Sequence, residues 1–168
     1  MKNKLLLAIA VLLFSVNVKA QEHKTIKSGE ILVVTTNISA AKVWEVIGAV
    51  GGVDKWFAAA IKSCSVKGDK RTCGIEGGKT FDETIELVDH KNRIFRYSIP
   101  TQPMMPMQNL SATMQVLEDK NGNGIVVWSG SFDVEVEMEV KVKEMLKGAW
   151  AMGVKGIETY VLNNNNTK

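Results

Sequence analysis

Histidine and cysteine are nearly missing from this chain, with two of each in 168 residues. His23 falls in a polar lead-in and His90 in a turn, where both are expected to be solvated. No metal-ligand spacing links them to the cysteines, so no metal site is expected from these residues. A phosphate loop, a dinucleotide fingerprint and a nucleophile elbow are absent as well, and no cofactor is expected. Basic residues do not cluster with interleaved aromatics, which argues against a nucleic-acid surface. Proline is confined to one loop, as Pro100, Pro103 and Pro106. The longest apolar run, residues 5–14, is about half of the ~20 residues a membrane helix needs.

That short run has another reading. Lys2 and Lys4 precede it, and Val18-Lys19-Ala20 places small or aliphatic residues at −3 and −1 of a cut before Gln21. This is the pattern of a cleavable secretory leader over residues 1–20, so a periplasmic or secreted protein is expected. No cysteine follows the cut, which argues against a lipid anchor. Losing the leader removes Lys2, Lys4 and Lys19 and no acid, which cancels the formal +3 of the whole chain. The pI of the precursor therefore says nothing about acidic partners. Residues 21–28 read as a polar lead-in, 29–162 as one domain and 163–168 as a disordered polar tail. A monomer is expected.

Within the domain, residues 140–162 carry Val142, Leu146, Ala149, Trp150, Gly153, Ile157, Tyr160 and Val161 at spacings of three and four. Lys141, Glu144, Lys147, Lys155 and Glu158 fall on the other side, which predicts an amphipathic helix. The chain before it reads as strands. Residues 30–36 are rich in β-branched side chains, and Ser39 is a good N-cap for a helix over 40–47. Gly48, Gly51 and Gly52 end that helix, and 53–60 predicts a second short one. Six further strands follow at 63–67, 70–75, 79–88, 93–99, 109–117 and 125–133, separated by Gly-, Asn- and Asp-rich turns. A sheet with one long terminal helix must bury the helix face against the sheet, which is an α+β architecture.

Turn lengths set the register of the first hairpins. Gly68-Asp69 as a two-residue loop pairs Lys67 with Lys70, Val66 with Arg71 and Cys64 with Cys73. A cross-strand disulfide is expected in an oxidising compartment, with two buried thiols as the alternative. Glu76-Gly77-Gly78 as a three-residue loop makes Cys73 face Phe81 and Arg71 face Glu83. Phe81, Ile85 and Leu87 form the apolar face of that strand, so Glu83 stands on a core face, where a carboxylate needs a partner. Arg71 is the partner this register supplies. The pair can be a ligand anchor, a structural ion pair or a catalytic acid/base set, and the sequence leaves the three open.

Further along, Tyr97 and Trp128 alternate into the same interior. Met104, Met105 and Met107 share the proline loop, whose adaptable thioethers suit a lid over an apolar cavity. A soft Cu(I) site is the rival reading, although no histidine or cysteine lies near in sequence.

Several segments together resemble one family. These are Ala41-Lys42-Val43-Trp44, Gly51-Gly52-Val53-Asp54-Lys55-Trp56, residues 83–89, Tyr97-Ser98-Ile99, residues 127–132 and Gly153 in the last helix. Their order over residues 28–162 is similar to the START-like, Bet v 1-like superfamily, in its polyketide cyclase/dehydrase and lipid-transport (SRPBCC) branch. The resemblance implies a helix-grip fold: a seven-stranded curved antiparallel sheet around the long C-terminal helix, with two short helices after strand one. It also implies an apolar cavity between sheet and helix. Arg71-Thr72-Cys73 and Glu83-Thr84-Ile85 match plant relatives similar to lachrymatory-factor synthase, in which the arginine and glutamate are implicated in proton transfer. The tyrosine of that set aligns here with Leu110. Trp56-Phe57-Ala58 departs too, since many relatives carry a proline shortly after this tryptophan.

The expected function is binding of a hydrophobic small molecule or lipid. Arg71, Glu83, Phe81, Tyr97, Met104, Met107, Trp128, Leu146 and Trp150 are the expected ligand contacts. The alternatives are a metal-independent cyclase, lyase or isomerase using Arg71 and Glu83, or an accessory protein to a periplasmic oxidoreductase.

Overall fold

A computed structural model describes residues 24–165. The leader expected over residues 1–20 lies outside the described residues, as do 166–168 of the expected tail. The elements run β1 (Thr25–Ser39), α1 (Ala40–Ile47), α2 (Val53–Trp56), β2 (Ser63–Lys67), β3 (Lys70–Gly74), β4 (Thr80–Asp89), β5 (Ile94–Thr101), β6 (Gln108–Glu118), β7 (Asn123–Glu135) and α3 (Glu139–Asn165). All seven strands form one antiparallel sheet in the order β1-β7-β6-β5-β4-β3-β2. Every neighbour in sequence is therefore a neighbour in space, except that β1 closes back onto β7.

Local chemistry accounts for the short elements. Ser39 Oγ accepts from Lys42 N at 3.4 Å and starts α1, whose Ala40, Val43, Trp44 and Ile47 turn inward. Gly48 N–H closes the helix on Trp44 O at 2.7 Å. The second helix is one turn long, ending at Trp56 instead of reaching residue 60. β1 begins inside the expected lead-in because Ile26, Leu32 and Val34 share the inward face of one alternating run.

One bulge changes a register. Between Ile85 and Leu87 the β4–β5 ladder slips by a residue, and inward and outward positions exchange. Leu87, expected on the core face, is consequently exposed, and Val88 packs inward in its place.

α3 runs along β1 in the same direction. Ser28 Oγ donates to Glu139 Oε1 at 2.6 Å, Lys147 Nζ lies 3.4 Å from Glu30 Oε1, and Asn37 N donates to Glu158 Oε1 at 2.7 Å. Val142, Leu146, Trp150, Val154, Ile157 and Val161 fill the space beneath the helix. Glu158, placed by periodicity on the solvent side, is buried at this seam and caps the backbone of β1. Two glycines permit the close approach. A Cβ on Gly153 would lie 3.1 Å from the Trp128 ring, and one on Gly156 would overlap the Trp56 carbonyl at 1.8 Å. The helix continues through Asn165, so its final turn takes in part of the expected tail. No described helix is long and apolar enough to cross a membrane.

Candidate functional site

The sheet and α3 enclose one cavity whose polar end is built on β3 and β4. Arg71 and Glu83 are direct ladder partners, as the turn lengths predict, and both point inward. Arg71 Nε donates to Glu83 Oε2. Arg71 Nη1 donates to the carbonyl of Val50 at 2.6 Å, tying the α1–α2 connection to the sheet. The guanidinium carbon lies 5.2 Å from the Phe95 ring centroid and 5.7 Å from that of Tyr97, within cation–π range. The cation is thus held by one carboxylate, one carbonyl and two aromatic rings.

These surroundings set the protonation behaviour. Burial pushes the Glu83 carboxyl above its ordinary range, against the pull of Arg71's charge and hydrogen bond. Burial also raises the Tyr97 phenol, and the neighbouring Glu83 adds to the effect. Tyr97 Oη accepts from Trp128 Nε1 at 3.2 Å. Trp128 in turn stacks on Trp150 of α3, with ring centroids 5.4 Å apart and planes within 10°. A chain of contacts therefore joins the ion pair to the helix.

The disulfide forms where the hairpin register places it. Cys64 and Cys73 are opposite one another, with 4.2 Å between their Cα atoms, and are covalently joined. Cys73 lines the cavity beside Arg71. The disulfide fastens the outermost strand, β2, to the strand that carries the arginine.

The other end is the loop after β5. Met104, Met105 and Met107 line the cavity there. Gln102 organises this loop: its Oε1 accepts from Met104 N at 2.6 Å and Met105 N at 3.0 Å, and its Nε2 donates to Met105 O at 2.7 Å. No group of three or more His, Cys, Asp or Glu side chains converges among the described residues.

All nine residues expected to contact a ligand line this cavity: Arg71 and Glu83 with Phe81, Tyr97, Met104, Met107, Trp128, Leu146 and Trp150. The free volume is about 80 Å³, against roughly 300–1,000 Å³ for a pocket holding a drug-sized molecule. Leu110, at the position of the plant relatives' tyrosine, also borders it. Sequence reasoning missed Val50, Phe95 and Gln102, and it placed Met105 only in the loop over the cavity. Phe95 had a signal, since it lies two residues before Tyr97 on one strand and must share its face. Val50 had none: it sits at φ 64°, a conformation that a β-branched side chain rarely adopts. His90 is exposed as expected, but its Nδ1 accepts from Trp44 Nε1 at 3.3 Å.

Comparison with known proteins agrees with this architecture. An uncharacterized protein of Bacillus thuringiensis superposes with a TM-score of 0.72 at 25% identity, covering 80% of this chain and 99% of its own. The protein XoxI of Bacillus cereus gives 0.68 at 25% identity, covering 84% and 97%. Norcoclaurine synthase of Thalictrum flavum, solved with dopamine and hydroxybenzaldehyde, gives 0.66 at 19% identity, covering 96% and 98%. At that identity it speaks to the fold alone. No curated protein matches the sequence. The family model for polyketide cyclase/dehydrase and lipid transport proteins matches residues 32–161, nearly the whole folded domain, and the chain therefore belongs to that family, among the Bet v 1-like helix-grip proteins.

Proposed function

We propose that this protein is exported and, as a monomer, binds a hydrophobic small molecule or lipid in the cavity between sheet and α3. The observation that carries this reading is the lining itself. Methionine, aromatic and aliphatic side chains surround a single buried ion pair, which is the composition of a pocket that takes affinity from apolar contact and orientation from few polar groups. A ligand larger than the present free volume enters by displacing the flexible methionines at the mouth. The leader pattern of residues 1–20 supports export.

Native mass spectrometry of the protein purified gently from whole cells tests both halves of the proposal. A discrete added mass that disappears on denaturation supports the binding reading. The absence of any adduct, together with refusal of a panel of apolar dyes and fatty acids, would remove it. A start at Gln21 in the same spectrum supports export, and an intact Met1 to Ala20 segment counts against it.

A catalytic reading is favoured by one specific feature, the raised carboxyl of Glu83 beside a fixed cation inside the cavity. A carboxyl displaced from its ordinary range beside a fixed cation suits proton transfer. Glu83→Gln separates the readings. An enzyme loses turnover and keeps its ligand, whereas a carrier changes only in affinity.

A further inference from the structure

The polar groups that border the cavity are unevenly divided between donors and acceptors. Tyr97 makes one hydrogen bond, in which its oxygen accepts from Trp128. A phenol engaged in this way sends its own O–H elsewhere, and no acceptor among the described residues meets it. Arg71 spends Nε on Glu83 and one Nη1 proton on Val50 O, while Nη2 makes no hydrogen bond to a described residue. Trp56, another lining residue, has a buried indole N–H without an acceptor among the described residues. Against these donors, one side-chain carboxylate oxygen of the described lining residues is unengaged, Glu83 Oε1.

Charge is balanced where hydrogen bonding is not. Among the described residues that line the cavity, the one cation, Arg71, is already matched by the one anion, Glu83. A carboxylate ligand would add a second negative charge to a buried site with no free cation, and an amine a second positive one. Burying an unmatched charge costs far more than burying a neutral polar group that finds its partner. We infer that the ligand is a neutral, apolar carbonyl compound whose oxygen accepts from Tyr97 Oη and the unengaged N–H groups of Arg71. This rests on the cavity-binding reading and adds to it the charge and polarity of the ligand. Fatty acids and amines are disfavoured by the same argument, while ketones, esters and quinones of compact shape are suited.

Four small probes of one shape test the inference on the purified protein: ethylbenzene, acetophenone, benzoate and benzylammonium. Affinities are read by NMR shift titration. Acetophenone is better hydrated than ethylbenzene, so a cavity lacking donors would bind it more weakly. The inference expects acetophenone to bind at least as tightly, and both ions more weakly than either. In Tyr97→Phe, which keeps the ring stacked on Phe95, acetophenone should weaken about tenfold, the loss of one hydrogen bond. Ethylbenzene should stay within about twofold.

Ethylbenzene binding more tightly than acetophenone overturns the inference and leaves the cavity-binding reading standing. Benzoate or benzylammonium binding most tightly does the same, as does an equal effect of Tyr97→Phe on both neutral probes. If none of the four binds, the cavity-binding reading fails with it. Should the variant not fold, the order of the four probes on the unaltered protein decides alone.

Discussion

Two acids are buried among the described residues, and their environments push them in opposite directions. Glu83 and Glu158 expose 6% and 5% of their surface, and each is paired with a cation. Glu83 is raised, because it lies deep in the cavity and desolvation outweighs Arg71. Glu158 is lowered by the hydrogen bond from Lys155 and the backbone N–H of Asn37, which outweigh burial. The difference is one of depth. The Lys155 side chain is 71% exposed, so Glu158 sits one layer beneath water, whereas Arg71 is itself enclosed. Small exposed area alone does not tell a structural carboxylate from a chemically poised one. The position of its partner does.

The largest effect should come from breaking the deeper pair. Glu83→Ala leaves Arg71 buried without its counter-charge and should cost about 3–5 kcal/mol of stability in urea unfolding at neutral pH. The double variant Arg71→Met, Glu83→Leu should recover much of that loss, because no charge then remains inside. A single-variant cost below about 1 kcal/mol would mean that water reaches the pair, which would erase the contrast with Glu158.

At the seam, Glu158→Ala should cost less. It removes one hydrogen bond from a backbone N–H to a charged acceptor, about 1.5 kcal/mol, and the exposed Lys155 adds little. Proton exchange of the Asn37 amide should quicken in the same variant. An unchanged exchange rate would show that β1 does not depend on this cap.

Acid titration sharpens the comparison further, because the signs differ. A raised carboxyl contributes stability that is present below its unfolded value, near 4.5, and is lost as pH climbs through its higher folded value. A lowered one contributes stability that is present above 4.5 and is lost as pH falls through its folded value. The stability difference between the unaltered protein and Glu83→Gln should therefore shift toward the unaltered protein in acid. For Glu158→Gln the penalty should be largest at neutral pH and fade in acid. Parallel curves for the two variants would contradict the depth argument.

The smallest effect on global stability is expected at the cavity mouth. Gln102→Ala removes three hydrogen bonds from the methionine loop but disturbs no strand pairing. Unfolding free energy should change by less than about 0.5 kcal/mol, the range of changes away from core features. Amide exchange at Met104 and Met105 should speed markedly. Equal exchange in both proteins would mean that Gln102 does not organise the loop.

How much of this was legible beforehand follows from the range of the interactions involved. The Cys64–Cys73 bond and the Arg71–Glu83 pairing were readable because two short turns set their registers, and a strand repeats every two residues. The same rule failed at Leu87, where an unsignalled bulge reversed the phase. The long helix was readable from its period, yet Glu158 was placed on the wrong side, because its burial depends on a contact with Asn37, 121 residues away.

Sequence alone thus determined the strand order along the hairpins, the amphipathic closing helix, the disulfide register and the pairing of the two inward-facing charges. All of these depend on local turn chemistry and side-chain periodicity. Tertiary structure decided how small the cavity is, that Val50 contributes its carbonyl to Arg71, and which buried carboxyl is pushed up and which down. Those outcomes depend on where α3 and the α1–α2 connection settle against the sheet, and on how far each charge then lies from water. Neither is encoded in any short stretch of the chain.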